Sequence, residues 1–146
     1  MTLPMTKPQP IAHHLLDVVS GINKQIEYLA QFSDVDAALL FRLDGKVLHA
    51  FYSHQRSQRL LIIIAWVKKI ITRTMEQLQN GSQSVKYDKD IGEKEPTPVY
   101  FYRAGNSSIL VSILDPRVNT GLMEIEMSRS ARLLGWIIDG KNLTGV

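Results

Sequence analysis

The chain of 146 residues has the size of one domain and is long enough to bury a core. Its hydrophobic content of 45% is ordinary for a globular protein, and its net charge of +3 is too small to indicate nucleic-acid binding by itself. The absence of cysteine excludes disulfides and thiolate chemistry. The longest apolar run, Leu60 to Val67, is shorter than the ~18–20 residues of a membrane span. Because Met1 to Pro10 does not resemble a signal peptide, we expect a cytoplasmic protein without membrane insertion.

The N-terminal part predicts a flexible lead-in followed by a helix. Residues 1–10 are rich in proline, and Pro10 suits the first position of a helix. Beyond it, apolar residues recur at spacings of three and four, which predicts a helix with one buried stripe. We expect one domain over 11–138 and a short tail over 139–146. The stripe consists of Ile11, Leu15, Val18, Val19, Ile22, Ile26 and Leu29.

A β-hairpin follows the first helix. Val35 to Leu43 is predicted as a strand, and Lys46 to Tyr52 as its return strand. Asp44-Gly45 stands between these two apolar runs, which is a strong signal for a two-residue turn with positive φ at both positions.

The second helix is predicted over Gln58 to Gln79 and ends at Asn80-Gly81, a suitable left-handed cap. One apolar stripe can face the sheet, but Leu61, Ile62, Ala65 and Trp66 project elsewhere, so the first two turns are apolar on every side. A helix that is apolar all round is buried all round. The apolar side that does not face the sheet is most simply covered by another subunit. The alternative is that a connecting loop or helix of the same chain covers it. The sheet-facing stripe is Leu60, Ile63, Ile64, Val67, Ile71 and Leu78.

Three more strands and a helix complete the chain. The strands are predicted over Gln83 to Lys89, Val99 to Arg103 and Ser108 to Leu114, with a charged loop from Asp90 to Pro98. The order α-β-β-α-β-β-β-α with short turns predicts an α+β fold, in which a five-stranded antiparallel sheet is flanked by helices.

The third helix begins at Asn119 or Thr120, after an Asp-Pro stop. We expect Gly135 to end it and Trp136 to fold back onto the core. In the alternative, the helix continues through Gly135, and Trp136 joins Ile125, Arg129 and Arg132 in an exposed contact patch. The buried stripe is Met123, Met127, Ala131, Leu134 and Ile138.

The element order, the hairpin from Val35 to Leu48 and the segment Asn119-Thr120-Gly121-Leu122 running into Ala131-Arg132-Leu133-Leu134 resemble the roadblock/dynein light chain family. The similarity covers about Ile11 to Ile138. It implies a roadblock (longin-like) fold and homodimers in which the second helices pair antiparallel and the third strands join into one sheet. It also implies a noncatalytic platform for small Ras-like (MglA-like) GTPases, as in MglB-like bacterial or archaeal proteins. The implied dimer interface comprises Leu61, Ile62, Ala65, Trp66, Lys69, Val85 and Tyr87.

Basic residues are concentrated between Arg42 and Arg73, where Asp44 is the one acidic residue. If two second helices pair, basic side chains of both subunits form the rim of a shared positive surface. Such a surface suits an acidic partner, for example a GTPase switch region; the alternative is a solvated helix flank. The candidate partner-binding residues are Arg56, Arg59, Lys69 and Arg73.

Catalytic and ligand motifs are not found in the sequence. There is no GxxxxGK[ST] loop, and the adjacent His13 and His14 would point ~100° apart on a helix, which disfavours joint metal ligation. We therefore predict no catalytic residue, no cofactor and no metal. The alternative to the scaffold is a small-molecule sensor with a pocket between the sheet and the first helix. That pocket would lie under Tyr87, Tyr100, Phe101 and Tyr102.

Overall fold

A computed structural model describes residues 10–53, 58–80, 84–92 and 95–140, with side chains from residue 17 onward. Three helices and five strands follow one another in the predicted order, and most of their ends lie within one or two residues of the predicted ones. The predicted lead-in before Pro10, the tail from 141 onward and Gly81 lie outside the described residues. The elements are α1 (Pro10–Ala30), β1 (Val35–Arg42), β2 (Val47–Tyr52), α2 (Gln58–Gln79), β3 (Ser84–Lys89), β4 (Thr97–Arg103), β5 (Ser108–Leu114) and α3 (Thr120–Asp139).

The strands form one antiparallel sheet in the order β2-β1-β5-β4-β3. The central strand β5 is buried along its whole length, including Ser108 and Ser112, as its mainly apolar sequence favours. The two edges are β2 and β3, whose side chains are half-buried or exposed. The centre of the sheet is therefore buried, whereas its two edge strands are accessible to solvent.

Helices cover both faces of the sheet. On β1, Leu39 packs towards α2, whereas its neighbour Leu40 packs towards α1 and α3. This alternation follows from the two-residue repeat of a strand. One cluster of apolar side chains thus lies under α2, and a second lies between the sheet and the α1–α3 pair. The chain is a three-layer sandwich with one helix on one face and two on the other.

A β-bulge interrupts the alternation at the start of β1. Val35 packs on the side of α1 and α3, but Ala37, two residues later, packs on the side of α2. The register between β1 and β5 shifts between these two residues, so Asp36 is an extra residue in the strand. The bulge turns the Asp36 side chain towards the start of α2.

The hairpin between β1 and β2 is present, but the predicted two-residue turn is wrong. Gly45 N–H donates to the Arg42 carbonyl at 2.9 Å, and Arg42 N–H donates to the Lys46 carbonyl at 2.8 Å. Only Gly45 has positive φ, at 86°, among the described residues of the turn. The connection is therefore a three-residue loop closed by a left-handed glycine.

The third helix is longer than the sequence pattern predicted. Asn119 caps its start by accepting a hydrogen bond from Leu122 N–H at 3.4 Å, as expected. The helix then continues through Gly135 and ends at Asp139, with the left-handed Gly140 as its cap. The prediction that Gly135 ends the helix is wrong. Gly135 instead allows a close approach, because a Cβ there would lie 2.5 Å from the Gly105 nitrogen.

The fourth strand begins two residues earlier than predicted. It includes Thr97 and Pro98, which were assigned to the charged loop. Pro98 pairs with Asp88 of β3, whereas pairing with β5 starts only at Val99. Proline is tolerated in this strand because it stands beyond the end of the β5 ladder.

Candidate functional site

The outward face of α2 exposes large apolar side chains. Leu61 is 67% exposed and Ile62 is 52% exposed, and Ala65 is exposed beside them. On the inward face, Leu60 and Ile63 are buried against the sheet. The first half of α2 is thus apolar on both sides, as predicted, and the described residues cover only one of them.

Trp66 lies at the boundary between these two faces. The prediction that it projects away from the sheet is wrong, because its ring packs edge-to-face on Tyr87 and Phe101, with centroid distances of 5.3 and 6.3 Å. Lys89 Nζ lies 5.0 Å from the centre of the same ring, a distance suited to a cation–π contact. Trp66 therefore joins α2 to β3 and remains half-buried.

The free edge of β3 adjoins this part of α2. No described strand pairs with the outer side of β3, since the sheet order ends there. Val85 and Tyr87 face α2 and are half-buried, whereas Lys86 points to the other face and is exposed. The residues predicted from the family resemblance to form a dimer interface therefore lie in one contiguous region, made of the outer face of α2 and the edge of β3. We call this region the α2–β3 surface.

Arg59 belongs to the interior of the molecule more than to this surface. Its guanidinium forms an ion pair with Asp36 and donates to Thr97 Oγ1 at 2.9 Å. The side chains of Arg59 and Asp36 are only 17% and 15% exposed. Burial raises the pKa of Asp36, and the hydrogen bond and charge of Arg59 oppose that rise. Arg59 thus fastens the start of α2 to the sheet, and little of its side chain is exposed.

The other predicted partner-binding residues differ in position. Lys69 and Arg73 are exposed, and at 100° per residue they continue the stripe that starts with Ile62 and Ala65. Glu76 is exposed further along. Arg56 lies outside the described residues. The outer stripe of α2 is therefore apolar in its first half and charged, with a positive excess, in its second half.

The four aromatic residues expected to line a sensor pocket do not share one face. Tyr100 and Tyr102 stack at 6.1 Å on the side of α3, whereas Phe101 and Tyr87 contact each other on the side of α2. Alternation along β4 makes this separation unavoidable. Tyr100 and Phe101 are also buried, at 2% and 0% exposure, and they fill the core. The predicted pocket under all four rings is wrong.

The ion pair between Arg59 and Asp36 was missed by the sequence analysis. The two residues are separated by 23 positions, and the bulge that turns Asp36 has no sequence signature of its own. In the described part of the chain, no helix combines the length and the apolar character needed to cross a bilayer.

Solved structures resemble the chain over most of its length. An MglB protein with a tetrameric arrangement is 16% identical, with a TM-score of 0.60 over 96% of this chain and 98% of the other. MglB from Myxococcus xanthus is 15% identical, with a TM-score of 0.63 over 82% and 95% of the two chains. MglC from the same organism is 14% identical, with a TM-score of 0.64 over 78% and 96%.

Sequence comparison adds no relative: no family model and no curated protein matches the chain. A Roadblock/LC7 domain from Streptomyces avermitilis is also similar in structure, at 11% identity and a TM-score of 0.52 over 77% of this chain and 90% of that domain. Identities this low carry information on the fold alone. Together with the five-stranded antiparallel sheet and its three helices, these similarities show that the chain has the roadblock fold.

Proposed function

We propose that this protein is a noncatalytic homodimeric scaffold that binds a small Ras-like GTPase and regulates it or its assembly. The observation that carries the proposal is the α2–β3 surface, where exposed Leu61 and Ile62 share α2 with Trp66, which packs on Tyr87 of the edge strand β3. The similarity to MglB and MglC structures supports a regulator of roadblock type.

Dimerisation follows from the physical properties of this surface. Leu61, Ile62 and Ala65 together form an apolar patch, and adjoining apolar side chains on a surface mark interaction sites. Ala65 is small, so a facing helix can approach closely. A two-fold axis that pairs two α2 helices antiparallel also brings two β3 edges together, and each edge offers unpaired backbone groups to the other.

The GTPase would contact the charged part of the same region. In a dimer, Lys69 and Arg73 of both subunits flank the paired helices and form the rim of a positive surface. Rim charges speed the encounter with a partner of opposite charge and add less to the final affinity. Binding at this rim needs no chemistry from the scaffold, because contact alone selects one state of the switch regions.

A binding experiment tests the GTPase role. The small GTPases of the source genome, each loaded with GDP or a GTP analogue, are passed over the immobilised protein. We expect one of them to bind in one nucleotide state with higher affinity. Absence of binding by all of them in both states would refute the role.

A charge-reversal pair locates the contact. Lys69→Glu combined with Arg73→Glu should slow association at least about tenfold at low salt, because steering by rim charges acts on the association rate. Lys24→Glu with Lys46→Glu is the matched control, since both lysines are exposed and lie outside α2. Equal slowing by the two double variants would contradict a contact at the α2 rim.

A further inference from the structure

A cleft of about 390 Å³ lies on the opposite side of the sheet from α2. It is formed by the second half of α3, the end of β4 and the turn that follows β4. Its volume is within the range of small-molecule sites, about 300–1,000 Å³. The residues that matter for its chemistry are Tyr102, Arg103, Asn106, Arg132, Trp136 and Asp139.

Two glycines fix the wall where α3 meets the turn. A Cβ on Gly135 would lie 2.5 Å from the nitrogen of Gly105, so the helix and the turn are in direct backbone contact. A Cβ on Gly105 would lie 2.7 Å from a carboxylate oxygen of Asp139. The same carboxylate accepts a hydrogen bond from Asn106 N–H at 3.1 Å. Close contacts therefore fix this wall of the cleft.

The cleft has an excess of positive charge. Arg103 is oriented by two hydrogen bonds, from Nε to the Gly105 carbonyl at 3.0 Å and from a terminal nitrogen to Asn106 Oδ1 at 3.3 Å. Arg132 is exposed and makes no ion pair or hydrogen bond with the described residues. Asp139 is the one carboxylate among the described residues of the lining, and it already accepts a hydrogen bond from the Asn106 backbone N–H. The positive charges of Arg103 and Arg132 thus exceed the single negative charge of Asp139, which is already hydrogen-bonded.

Aromatic side chains supply the apolar part of the lining. Trp136 is half-buried in the wall, because α3 continues beyond Gly135 and carries the indole with it. Tyr102 is 6% exposed and contributes to the same cavity. A ligand here meets a flat apolar surface and a guanidinium group side by side.

We propose that this cleft binds a small organic anion, a carboxylate attached to a planar aromatic ring. The ring packs on Trp136 and Tyr102. The carboxylate pairs with Arg132 and with Arg103, which its hydrogen bonds to Gly105 and Asn106 already orient. Arginine suits this role because its planar guanidinium matches a carboxylate geometrically. The site lies on the other face of the sheet from the α2–β3 surface, so it does not depend on the proposed GTPase role.

The tryptophans provide a direct readout. The chain has two, Trp136 in the cleft and Trp66 on the other face of the sheet, so a ¹⁵N-labelled sample gives two separate indole signals. Titration with 2-naphthoate should shift the Trp136 signal in a saturable way and leave the Trp66 signal in place. The uncharged 2-naphthalenemethanol should bind at least about tenfold more weakly, and inorganic phosphate should not saturate the Trp136 shift.

Two arginine variants complete the test. Arg132→Gln should weaken 2-naphthoate binding at least about tenfold, whereas Arg129→Gln, an exposed arginine of the same helix outside the cleft, should leave it unchanged. The proposal is overturned if Trp136 does not respond, if the uncharged compound binds equally well, or if the two variants behave alike. A saturable response to inorganic phosphate alone would also overturn it, because the ring would then contribute nothing.

Discussion

The two faces of the sheet are covered in different ways. On one face, α1 and α3 lie side by side and contact each other closely: a Cβ on Gly21 would lie 3.1 Å from Ile137, and Tyr28 O–H donates to the Glu126 carboxylate. On the other face, α2 is the one helix among the residues that the structure describes. Two helices therefore complete one layer within the chain, whereas the single helix leaves its own outer side and a strand edge open.

Exposed apolar residues occur on both sides, so exposure alone does not identify the interface. On α3, Leu122 is 51% exposed and Ile125 is 67% exposed, values close to those of Leu61 and Ile62. The residues of α3 stand among charged neighbours of both signs, such as Glu124 and Arg129, and lie on a helix that α1 already borders. Those of α2 adjoin Ala65 and the open edge of β3. The residues around an exposed patch, and not its exposure alone, therefore distinguish the α2 surface from the α3 surface.

The largest expected effect comes from placing a charge in the α2 patch. Ile62→Asp should convert a dimer into a monomer, because burying an unpaired carboxylate in an apolar interface costs more than the contact provides. Since Ile62 is 52% exposed in the single chain, the fold itself should persist. Sedimentation velocity at matched concentrations measures the change.

Ile125→Asp is the matched control for that experiment. Ile125 is at least as exposed as Ile62 and also lies on a helix, but on the other face of the sheet. The variant should sediment like the wild type. A dimer that survives Ile62→Asp, or one that Ile125→Asp disrupts, would show that the wrong side of the sheet has been assigned to the interface.

The second test concerns the close contact on the other face. Gly135→Ala should lower the free energy of unfolding by about 2–3 kcal/mol, because the added Cβ meets backbone atoms of Gly105 that cannot rotate away. Part of this cost is offset by the better helix propensity of alanine, about 1 kcal/mol. Urea denaturation at fixed protein concentration gives the value.

Gly121→Ala serves as its control within the same helix. The nearest atom to a Cβ at Gly121 is Asn119 Oδ1 at 3.6 Å, an ordinary van der Waals distance. Stability should stay unchanged or rise by up to about 0.5 kcal/mol. If both alanine variants lose the same amount, then the contact between α3 and the β4–β5 turn is not what makes Gly135 necessary.

Most of the fold could be predicted from local patterns. The helices and strands follow from apolar periodicity, and the cap at Asn119 follows from residue type. Gly135 shows where this reasoning fails. Glycine near the end of a helix pattern is usually a cap, but here it serves a contact with Gly105, 30 residues earlier in the chain. Sequence periodicity carries no information on such a contact.

The candidate site was predicted less completely. The apolar surplus of α2 was visible because Leu61 and Ile62 fall outside the buried stripe of their own helix. The roles of Arg59 and Trp66 could not be predicted from the sequence, because each depends on a partner that only the fold brings near. The bulge in β1 brings Asp36 to Arg59, and the edge strand β3 brings Tyr87 to Trp66. Likewise, the cleft beside Trp136 exists only because α3 extends past Gly135. Long-range placement, not residue type, decides these three roles.

The smallest expected effect concerns the ion pair between Arg59 and Asp36 beneath α2; on the other face, the hydrogen bond from Tyr28 to Glu126 joins α1 and α3 instead. Arg59→Met should destabilise the fold by about 1–2 kcal/mol at pH 7, because it leaves the half-buried Asp36 carboxylate without its cation. Burial already raises the pKa of Asp36, and loss of Arg59 removes the groups that oppose the rise. A carboxyl whose folded pKa is raised stabilises the fold when protonated and loses that stabilisation as the pH rises through the folded pKa.

The difference between Arg59→Met and the wild type should therefore shrink as the pH falls from 7 towards 4.5, and urea denaturation at both pH values measures it. Asp36→Asn is the variant to compare with Arg59→Met. Since desolvation is the largest cause of the raised pKa of Asp36, removing its charge should lower the free energy of unfolding less than removing Arg59 does. The double variant should recover part of the loss, because neither charge then remains buried alone. A pH-independent loss in Arg59→Met would mean that the cost comes from the lost Thr97 contact or from packing, and that electrostatics does not fasten α2 to the sheet.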